Sequence, residues 1–270
     1  MTANARNVCV TFDLWETLIF DDPEQDMIRS QMRYEGLHHA FADLGIHFQL
    51  EDLKTAYEES GTRLGAIWQR NEDVSTIEQI RLIIELASKK PAVIPPFPDS
   101  EMLEKAYVDP LFAIPPKLNK DASAVLEGLR NRTRKIGLVS NTGRAPGEAL
   151  RRLLESYGLL QFFDATVFSD EVRYRKPNRR IFQEAANRLG TNLTNMIHVG
   201  DNPKDDVLGA KQAGMRAVLF EHDMPDVSKW EPNSLYVITR ANRRIPVGEV
   251  KPDRRIKSLT ETLDFVDSLS

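Results

Sequence analysis

The chain has 270 residues, of which 41% are hydrophobic and 28% are charged, proportions typical of a globular protein with a full core. Its formal net charge of -4 gives no electrostatic reason to expect a nucleic acid or an anionic membrane as a partner. The sequence contains neither an apolar run long enough to span a bilayer nor an apolar signal segment. Its single cysteine, Cys9, excludes an intramolecular disulfide, so we expect a soluble cytoplasmic protein with Cys9 packed in its core.

The predicted elements begin with one strand and continue with helices. The run NVCVTF at 7–12 is typical of a strand buried on both faces. Four helical patterns follow, and the first places Tyr34, Leu37 and Phe41 on one stripe before Gly45. The proline-rich segments at 91–98 and 113–117 indicate a connection and an exit hinge. We therefore predict a helical bundle at 21–115, inserted into a core domain made of 1–20 and 116–270.

From residue 117 onward, helices and strands alternate. The predicted strands are KIGLVS, DATVFSD, NMIHVGD and MRAVLF, each separated from the next by a helical segment. This alternation predicts an α/β fold with a doubly wound parallel sheet. We expect a further strand at 235–239, a loop extension at 240–255 and a last helix near the C-terminus.

Polar side chains follow the predicted strands at their carboxyl ends, where open α/β sheets bind ligands. Asp13 follows the first strand, Ser140 the second, Lys176 the third and Asp201 the fourth. Two such aspartates can bind a hard cation such as Mg²⁺, which also accepts phosphate oxygens. A serine hydroxyl with the following backbone amides, together with a lysine, can bind and neutralise an anion.

The series DLWETL, SNT, KP and GDNPKDDVLGAKQAG, in this order, resembles the motifs of the haloacid dehalogenase-like hydrolase superfamily. The helical insertion also matches the family's cap domain in its position between the first two motifs. The resemblance implies a Rossmann-like core and a small phosphorylated substrate. It implies that Asp13 is the nucleophile, that Ser140 and Lys176 assist it, and that Trp15, Thr17 and Asn141 contact the substrate.

The resemblance also implies a magnesium cofactor. Its ligands would be Asp13, the backbone carbonyl of Trp15, Asp201 and Asp206. Asp205 is adjacent and could exchange roles with Asp206, and the sequence leaves that choice open.

Trp15 departs from the family pattern. The family's phosphatases carry a second aspartate at this position, which protonates the leaving oxygen and later activates water. An indole cannot do either, and acid–base catalysis is typically worth about a hundred- to ten-thousandfold in rate. Glu16 is a possible substitute, but neighbouring side chains of an extended segment point in opposite directions. We otherwise expect Glu16 at the surface or in a hinge, and Trp15 as a wall of the site or an anchor for the insertion.

Three functions compete on this evidence. The first is a magnesium-dependent phosphohydrolase or phosphotransferase that forms an aspartyl phosphate. The second is a 2-haloacid dehalogenase, since the family's dehalogenases carry tyrosine at the position of Trp15 but lack the intact metal motif. The third is a catalytically weakened binding protein. The complete GDNPKDD motif favours the first.

A few other residues have a functional and a structural interpretation. Arg63, Trp68 and Arg70 could contact an anionic substrate, but a solvated helix face and core packing explain them equally well. His198 is expected to be a buried, hydrogen-bonded core histidine. The sequence does not indicate an oligomeric state.

Overall fold

The computed structural model describes residues 8–89, 99–133, 135–223 and 251–269. The strand predicted at 235–239, the proline-rich connection at 91–98 and most of the predicted loop at 240–255 lie outside the described residues. Among the helices that are described, none is long and apolar enough to cross a membrane.

The described residues alternate between strands and helices after a long helical stretch. In chain order the strands are β1 (Cys9–Phe12), β2 (Ile19–Phe20), β3 (Lys117–Leu118), β4 (Lys135–Ser140), β5 (Ala165–Phe168), β6 (Met196–Gly200), β7 (Arg216–Phe220) and β8 (Arg254–Ile256). The helices are α1 (Pro23–Asp43), α2 (Leu50–Gln69), α3 (Thr76–Ser88), α4 (Asp99–Val108), α5 (Pro110–Ala113), α6 (Ala122–Arg130), α7 (Gly147–Ser156), α8 (Ser169–Val172), α9 (Arg179–Leu189), α10 (Gly209–Ala213) and α11 (Glu261–Asp267). A π-helical turn, Pro203–Leu208, precedes α10.

Six parallel strands form the central sheet in the order β5-β4-β1-β6-β7-β8. The chain builds outward from β1 to β5 on one side and then from β6 to β8 on the other. This is the doubly wound α/β fold that the sequence predicts. The strand order reverses beside β1, so the carboxyl end of β1 lies at the switch point where such sheets bind ligands.

The central strands are buried on both faces, because successive side chains alternate between them. Val10 and Phe12 of β1 pack into one cluster with α6, α7 and α11, whereas Cys9 packs into a second cluster with α9 and α10. Cys9 is buried, as predicted. Backbone polar groups of a strand covered on both faces find their partners only in neighbouring strands, which fixes the position of the residue after β1.

The prediction of a loop at 240–255 is wrong for its last two residues. Residues 254 and 255 belong to β8, which pairs in parallel with β7. The hydrophobic pattern could not reveal this strand, because Arg254 and Arg255 are exposed and only Ile256 is buried. An edge strand of this kind is held by backbone hydrogen bonds, and its charged side chains protect the edge of the sheet.

The long helices lie between β2 and β3 and have a hydrophobic core of their own. Its members include Leu37, Phe41, Leu53, Ile80 and Tyr107. Helix α1 begins where the Asp22 carboxylate accepts hydrogen bonds from the backbone N–H groups of the first turn. These contacts are what a separate helical domain needs, and the boundaries at residues 21 and 115 stay predictions.

The two connections to the helical segment run side by side. β2 and β3 pair as a short antiparallel ribbon. Arg29, which is 1% exposed, donates to the Ile114 carbonyl and forms an ion pair with Asp21. The entering and leaving strands are therefore held together next to the exit hinge that the sequence suggests at 113–117.

A buried polar network joins the helical segment to the loop before Lys176. The Asp73 carboxylate, between α2 and α3, accepts hydrogen bonds from Trp68, Ser169 and Arg175. Arg175 also stacks on the Trp68 ring, 4.3 Å from its centre. Trp68 therefore serves packing between the two parts, one of the two roles the sequence allows for it.

Replacement of Asp73 by asparagine should destabilise the protein strongly. Removing one partner of a buried ion pair costs about 3–5 kcal/mol, because the remaining charge, here Arg175, stays buried without compensation. At about 2–4 °C per kcal/mol for a chain of this size, Tm in a thermal melt should fall on the order of 10 °C.

Glu72→Gln is the matched control for this variant. Glu72 is the neighbouring acid and forms an exposed ion pair with Arg70 at 3.1 Å, and exposed pairs contribute at most about 1 kcal/mol. An equal decrease in Tm for the two variants would contradict the conclusion that the buried Asp73 network stabilises the protein.

Candidate active site

Asp13 lies directly after β1, at the switch point of the sheet. Its backbone N–H donates to the Val199 carbonyl at 2.8 Å, which continues the β1–β6 hydrogen bonding by one residue. The residue is 7% exposed. The strand therefore delivers a nearly buried carboxylate to the carboxyl edge of the sheet.

Lys176 bridges two of the predicted acidic residues. Its Nζ lies 2.6 Å from Asp13 Oδ1 and 2.6 Å from Asp206 Oδ1. The Asn141 side chain fixes the lysine backbone: its Oδ1 accepts from Lys176 N at 2.7 Å, and its Nδ2 donates to the Lys176 carbonyl at 3.1 Å. The end of β4 thus positions the lysine, a role the sequence does not reveal. The assignment of Asn141 to substrate stays a prediction.

Asp206 is held on three sides. Besides Lys176, it accepts from His198 Nε2 at 3.1 Å and from the Asn202 backbone N–H at 2.8 Å. A Cβ at Gly200 would lie 2.3 Å from the Asp206 carboxylate, so only glycine leaves room for it. His198 is fully buried, as predicted.

The protonation of His198 follows from its partners. Burial holds its pKa below the usual value, so the ring is neutral. A carboxylate can only accept, so Nε2 carries the proton toward Asp206, and Nδ1 accepts from the Thr11 hydroxyl at 2.9 Å. The histidine orients the carboxylate from behind and has no free face toward a ligand.

Three carboxylates form a group that fits a hard cation. One oxygen from each of Asp13, Asp201 and Asp206 lies within 4.8 Å of the others, and carboxylate oxygens are the ligands that Mg²⁺ prefers. Asp205 is not in this group. Its Oδ2 instead accepts from Asn141 and Asn202, at 3.3 Å each.

The charges of this group shift the pKa values of its members. Burial, reinforced by Asp206 and Asp201 and opposed by Lys176, raises the pKa of Asp13 to about 8. Burial also acts on Asp206, but Lys176 and His198 outweigh it and hold its pKa well below the usual range. The Lys176 ammonium thus contacts two of the three carboxylates, and Asp13 holds a proton more readily than a free aspartate does.

The other predicted site residues lie around this group. Ser140 is fully buried, and its hydroxyl donates to the Asn141 carbonyl at 3.3 Å. The Thr17 hydroxyl donates to Asp201 Oδ1 at 3.5 Å. Trp15 is half-buried and packs against the core, with its indole N–H buried and without a hydrogen-bond partner among the described residues. Their roles toward substrate and metal stay predictions.

The expected surface position of Glu16 is wrong. The residue is 1% exposed and has a φ of 60°. Residues 16–18 form a turn, in which Glu16 N–H donates to the Ile19 carbonyl at 2.7 Å, whereas the expectation assumed an extended segment. The turn directs the chain into β2 and buries the glutamate near His222, whose pKa it helps to raise.

His222 is a site residue that the sequence reasoning missed. It follows β7, and its Nε2 lies 3.8 Å from Asp201 Oδ2. The ring stacks on Phe220 at 5.3 Å between centres. Burial acts to lower its pKa, but Asp201 and Glu16 outweigh this effect and raise it. Ligands of open α/β sheets bind beyond the carboxyl ends of the strands, and this rule identifies Asp13 and Asp201. It also applies to His222, which lies just beyond the carboxyl end of β7.

Two arginines considered as substrate contacts lie in exposed ion pairs. Arg63 pairs with Glu59 at 3.1 Å, and Arg70 with Glu72 at 3.1 Å. Both side chains are more than half exposed, which agrees with solvated helix faces.

Asp13→Asn should remove a pH-dependent cost of folding in metal-free buffer. In the folded protein Asp13 keeps its proton up to about pH 8, whereas an unfolded aspartate loses it near pH 4. Wild-type stability therefore falls as the pH rises between these values, by at most about 1.4 kcal/mol per pH unit. Thermal melts should show the Tm of the variant gaining on wild type from about pH 5 to about pH 8. A difference that stays constant or shrinks would contradict the raised pKa.

Comparisons with known proteins identify the family. The family model for haloacid dehalogenase-like hydrolases matches residues 8–214. A glyceraldehyde 3-phosphate phosphatase of Methanothermobacter thermautotrophicus is 36% identical over 40% of this chain and 47% of its own length, so the match spans about half of that relative. A pyrimidine 5'-nucleotidase of Escherichia coli is 28% identical over 74% of this chain and 84% of its own.

Solved structures agree with the fold. A HAD phosphatase from Thermococcus onnurineus superposes with a TM-score of 0.57 at 23% identity, covering 96% of this chain and 97% of that one. A 2-haloacid dehalogenase from Pseudomonas syringae gives 0.61 at 19% identity, covering 97% and 99%. The family match over most of the chain, together with the site at the switch point of the sheet, shows that this protein belongs to the haloacid dehalogenase-like hydrolases.

Proposed function

We propose that the protein is a magnesium-dependent phosphohydrolase that acts on a small phosphorylated substrate through an aspartyl phosphate on Asp13. The observation that carries this proposal is the group of Asp13, Asp201 and Asp206 oxygens within 4.8 Å of one another, with Lys176 bound to two of them. A dehalogenation at carbon has no need of a cation site. The phosphatase names of several relatives support the same choice.

The residues would divide the reaction into two steps. The Asp13 carboxylate attacks phosphorus, the bond from phosphorus to the ester oxygen breaks, and that oxygen leaves with its electron pair. Water then attacks phosphorus, and the bond from phosphorus to the Asp13 oxygen breaks. Inorganic phosphate leaves with the water oxygen, while the proton of the water passes to phosphate or solvent and the Asp13 carboxylate is regenerated. Lys176 stabilises negative charge through both steps, and the Ser140 hydroxyl would turn from the Asn141 carbonyl to a phosphoryl oxygen. Magnesium bound by Asp13, the Trp15 carbonyl, Asp201 and Asp206 would neutralise charge on the phosphoryl group.

Trp15 limits the leaving groups that this site can accept. The indole replaces the family's acid and base, so the ester oxygen leaves without a proton from that position. Substrates whose leaving group is stable as an anion, such as acyl and aryl phosphates, should therefore react faster than alkyl phosphates.

The helical segment at 21–115 is proposed as a cap over the site. It reaches the sheet edge through Gln79, whose amide donates to the Gly143 carbonyl at 3.0 Å, and through the Asp73 network. A substrate bound at Asp13 would lie between these two parts and away from water.

A second candidate function is a 2-haloacid dehalogenase, and Trp15 is the observation that favours it. Halide leaves unprotonated, so an aromatic residue in place of the acid costs that reaction nothing. The complete acidic group and the low pKa of Asp206 count against it, as they do against a catalytically weakened binding protein.

Hydrolysis of an acyl phosphate, an aryl phosphate and a 2-haloacid by the purified chain distinguishes these functions. We expect magnesium-dependent phosphate release, fastest from the acyl phosphate and lost on chelation of the metal. Asp13→Asn should reduce turnover to the blank, and Glu72→Gln should retain the wild-type rate. Halide release that does not depend on magnesium would instead establish the dehalogenase. Silence on all three substrates would contradict the proposal.

A further inference from the structure

The loop between α2 and α3 pairs with the backbone directly before Lys176. Residues 71–73 of this loop run antiparallel to residues 173–175. The pairing consists of a bridge between Glu72 and Tyr174, a hydrogen bond from the Asp73 N–H to the Arg173 carbonyl at 3.3 Å, and one from the Arg175 N–H to the Asn71 carbonyl at 3.0 Å. The helical segment therefore contributes a short paired strand to the residues that lead into the lysine.

Both paired segments leave a helix through a left-handed backbone conformation. Asn71, just after α2, has a φ of 58°, and Arg173, just after α8, has a φ of 67°. This conformation is uncommon for residues other than glycine, and it persists where the surrounding structure holds it. The two helices thus end in turns that direct the chain into the pairing.

The Asp73 carboxylate joins this pairing to the carboxyl edge of the sheet. Its Oδ2 accepts from the Thr142 hydroxyl at 3.2 Å, from the Ser169 hydroxyl and from the Arg175 guanidinium at 2.6 Å. Arg175 also donates to the Thr142 carbonyl. Thr142 follows β4, Ser169 follows β5 and Arg175 precedes Lys176. One buried carboxylate of the helical segment therefore contacts three parts of the sheet edge at once.

The position of the Lys176 ammonium depends on where its backbone is held. A lysine side chain is a flexible four-carbon chain, yet its ammonium lies 2.6 Å from an oxygen of both Asp13 and Asp206. Asn141 binds the N–H and the carbonyl of the lysine from the side of β4. Residues 71–73 bind the backbone one residue earlier, from the side of the helical segment. The lysine is thus held by both parts of the molecule.

We propose that the loop at 71–73 positions Lys176, so that docking of the helical segment on the sheet sets the lysine between Asp13 and Asp206. Asp73 and Arg175 are then positioning residues, whose effect on the reaction is exerted through the lysine. The consequence for turnover rests on the proposed phosphohydrolase function, whereas the position of the lysine does not. The reactive group is complete only when the helical segment is docked.

Chemical labelling of Lys176 in Arg175→Gln tests the positioning directly. Acetic anhydride acylates accessible lysine amines, and mass spectrometry of the digested full chain measures the rate at each lysine. Lys176 is 2% exposed and should react slowly in the wild type, whereas Lys105, with a side chain 69% exposed, serves as the internal reference. The variant should label Lys176 about tenfold faster or more, because the lost hydrogen bonds to a charged group no longer keep the segment closed.

Turnover of an acyl phosphate with magnesium gives the second readout. A displacement of about 1 Å in a catalytic group can cost about 100-fold in rate. In Arg175→Gln we therefore expect kcat to fall about 10- to 100-fold, with a smaller change in KM. Arg175→Lys keeps the charge beside Asp73 and should restore part of the rate and of the protection from labelling.

Two further variants separate positioning from a loss of stability. Arg70→Gln makes the same substitution in an exposed ion pair with Glu72, outside the contacts of Asp73, and should leave labelling and kcat at the wild-type values. Asp73→Asn combined with Arg175→Gln removes both buried charges, so it should fold even where Arg175→Gln does not. Circular dichroism melts set the labelling temperature at the same interval below Tm for every variant.

Labelling also separates this proposal from the proposed function. Faster acylation of Lys176 in Arg175→Gln, with no change in Arg70→Gln, supports the positioning role even if no phosphate is released. Unchanged acylation of Lys176 in a folded Arg175→Gln or double variant overturns that role and leaves the phosphohydrolase standing. A fall in kcat without faster acylation also overturns it, because Arg175 would then act on the reaction by another route.

Discussion

The buried ion pairs of Lys176 are the interaction on which the site depends. Its ammonium lies between Asp13 and Asp206, 2.6 Å from an oxygen of each, in a place almost without solvent. Three carboxylates this close would repel one another strongly in a low-dielectric environment. The lysine offsets part of that repulsion. A proton or a bound cation must offset the rest, so the group is costly to fold when neither is present.

The fold supplies this arrangement from distant parts of the chain. The parallel pairing of β1 with β4 and β6 places Asp13 beside the ends of both neighbours. Asn141, at the end of β4, then holds the backbone of Lys176, and Gly200, at the end of β6, leaves space for Asp206. The same edge receives the helical segment through Asp73 and Gln79. The acidic group, Lys176 and the contacts with the helical segment thus lie at one edge of the sheet.

The sequence predicts much of the fold and of the site, and the parts that it does not predict have physical causes. Buried strands such as KIGLVS form continuous apolar runs, so the positions of these strands and of the polar residues after them can be predicted from the hydrophobic pattern. The edge strand β8 lacks that pattern because its arginines face solvent. The sequence places Glu16 at the surface because no local signal indicates a turn with a positive φ. The contacts that orient the site join residues far apart in the chain, such as Asn141 with Lys176 or Thr11 with His198. Such contacts follow only from the tertiary fold.

The central claim is that Asp13 carries the phosphoryl group. It is tested most directly by quenching the reaction with an acyl phosphate in acid and locating the covalent adduct by mass spectrometry of the digested protein. The account predicts a phosphoryl group on the peptide that contains Asp13, present with magnesium and absent from Asp13→Asn. Phosphate release in the absence of any adduct at Asp13, or with an adduct on another residue, would contradict it.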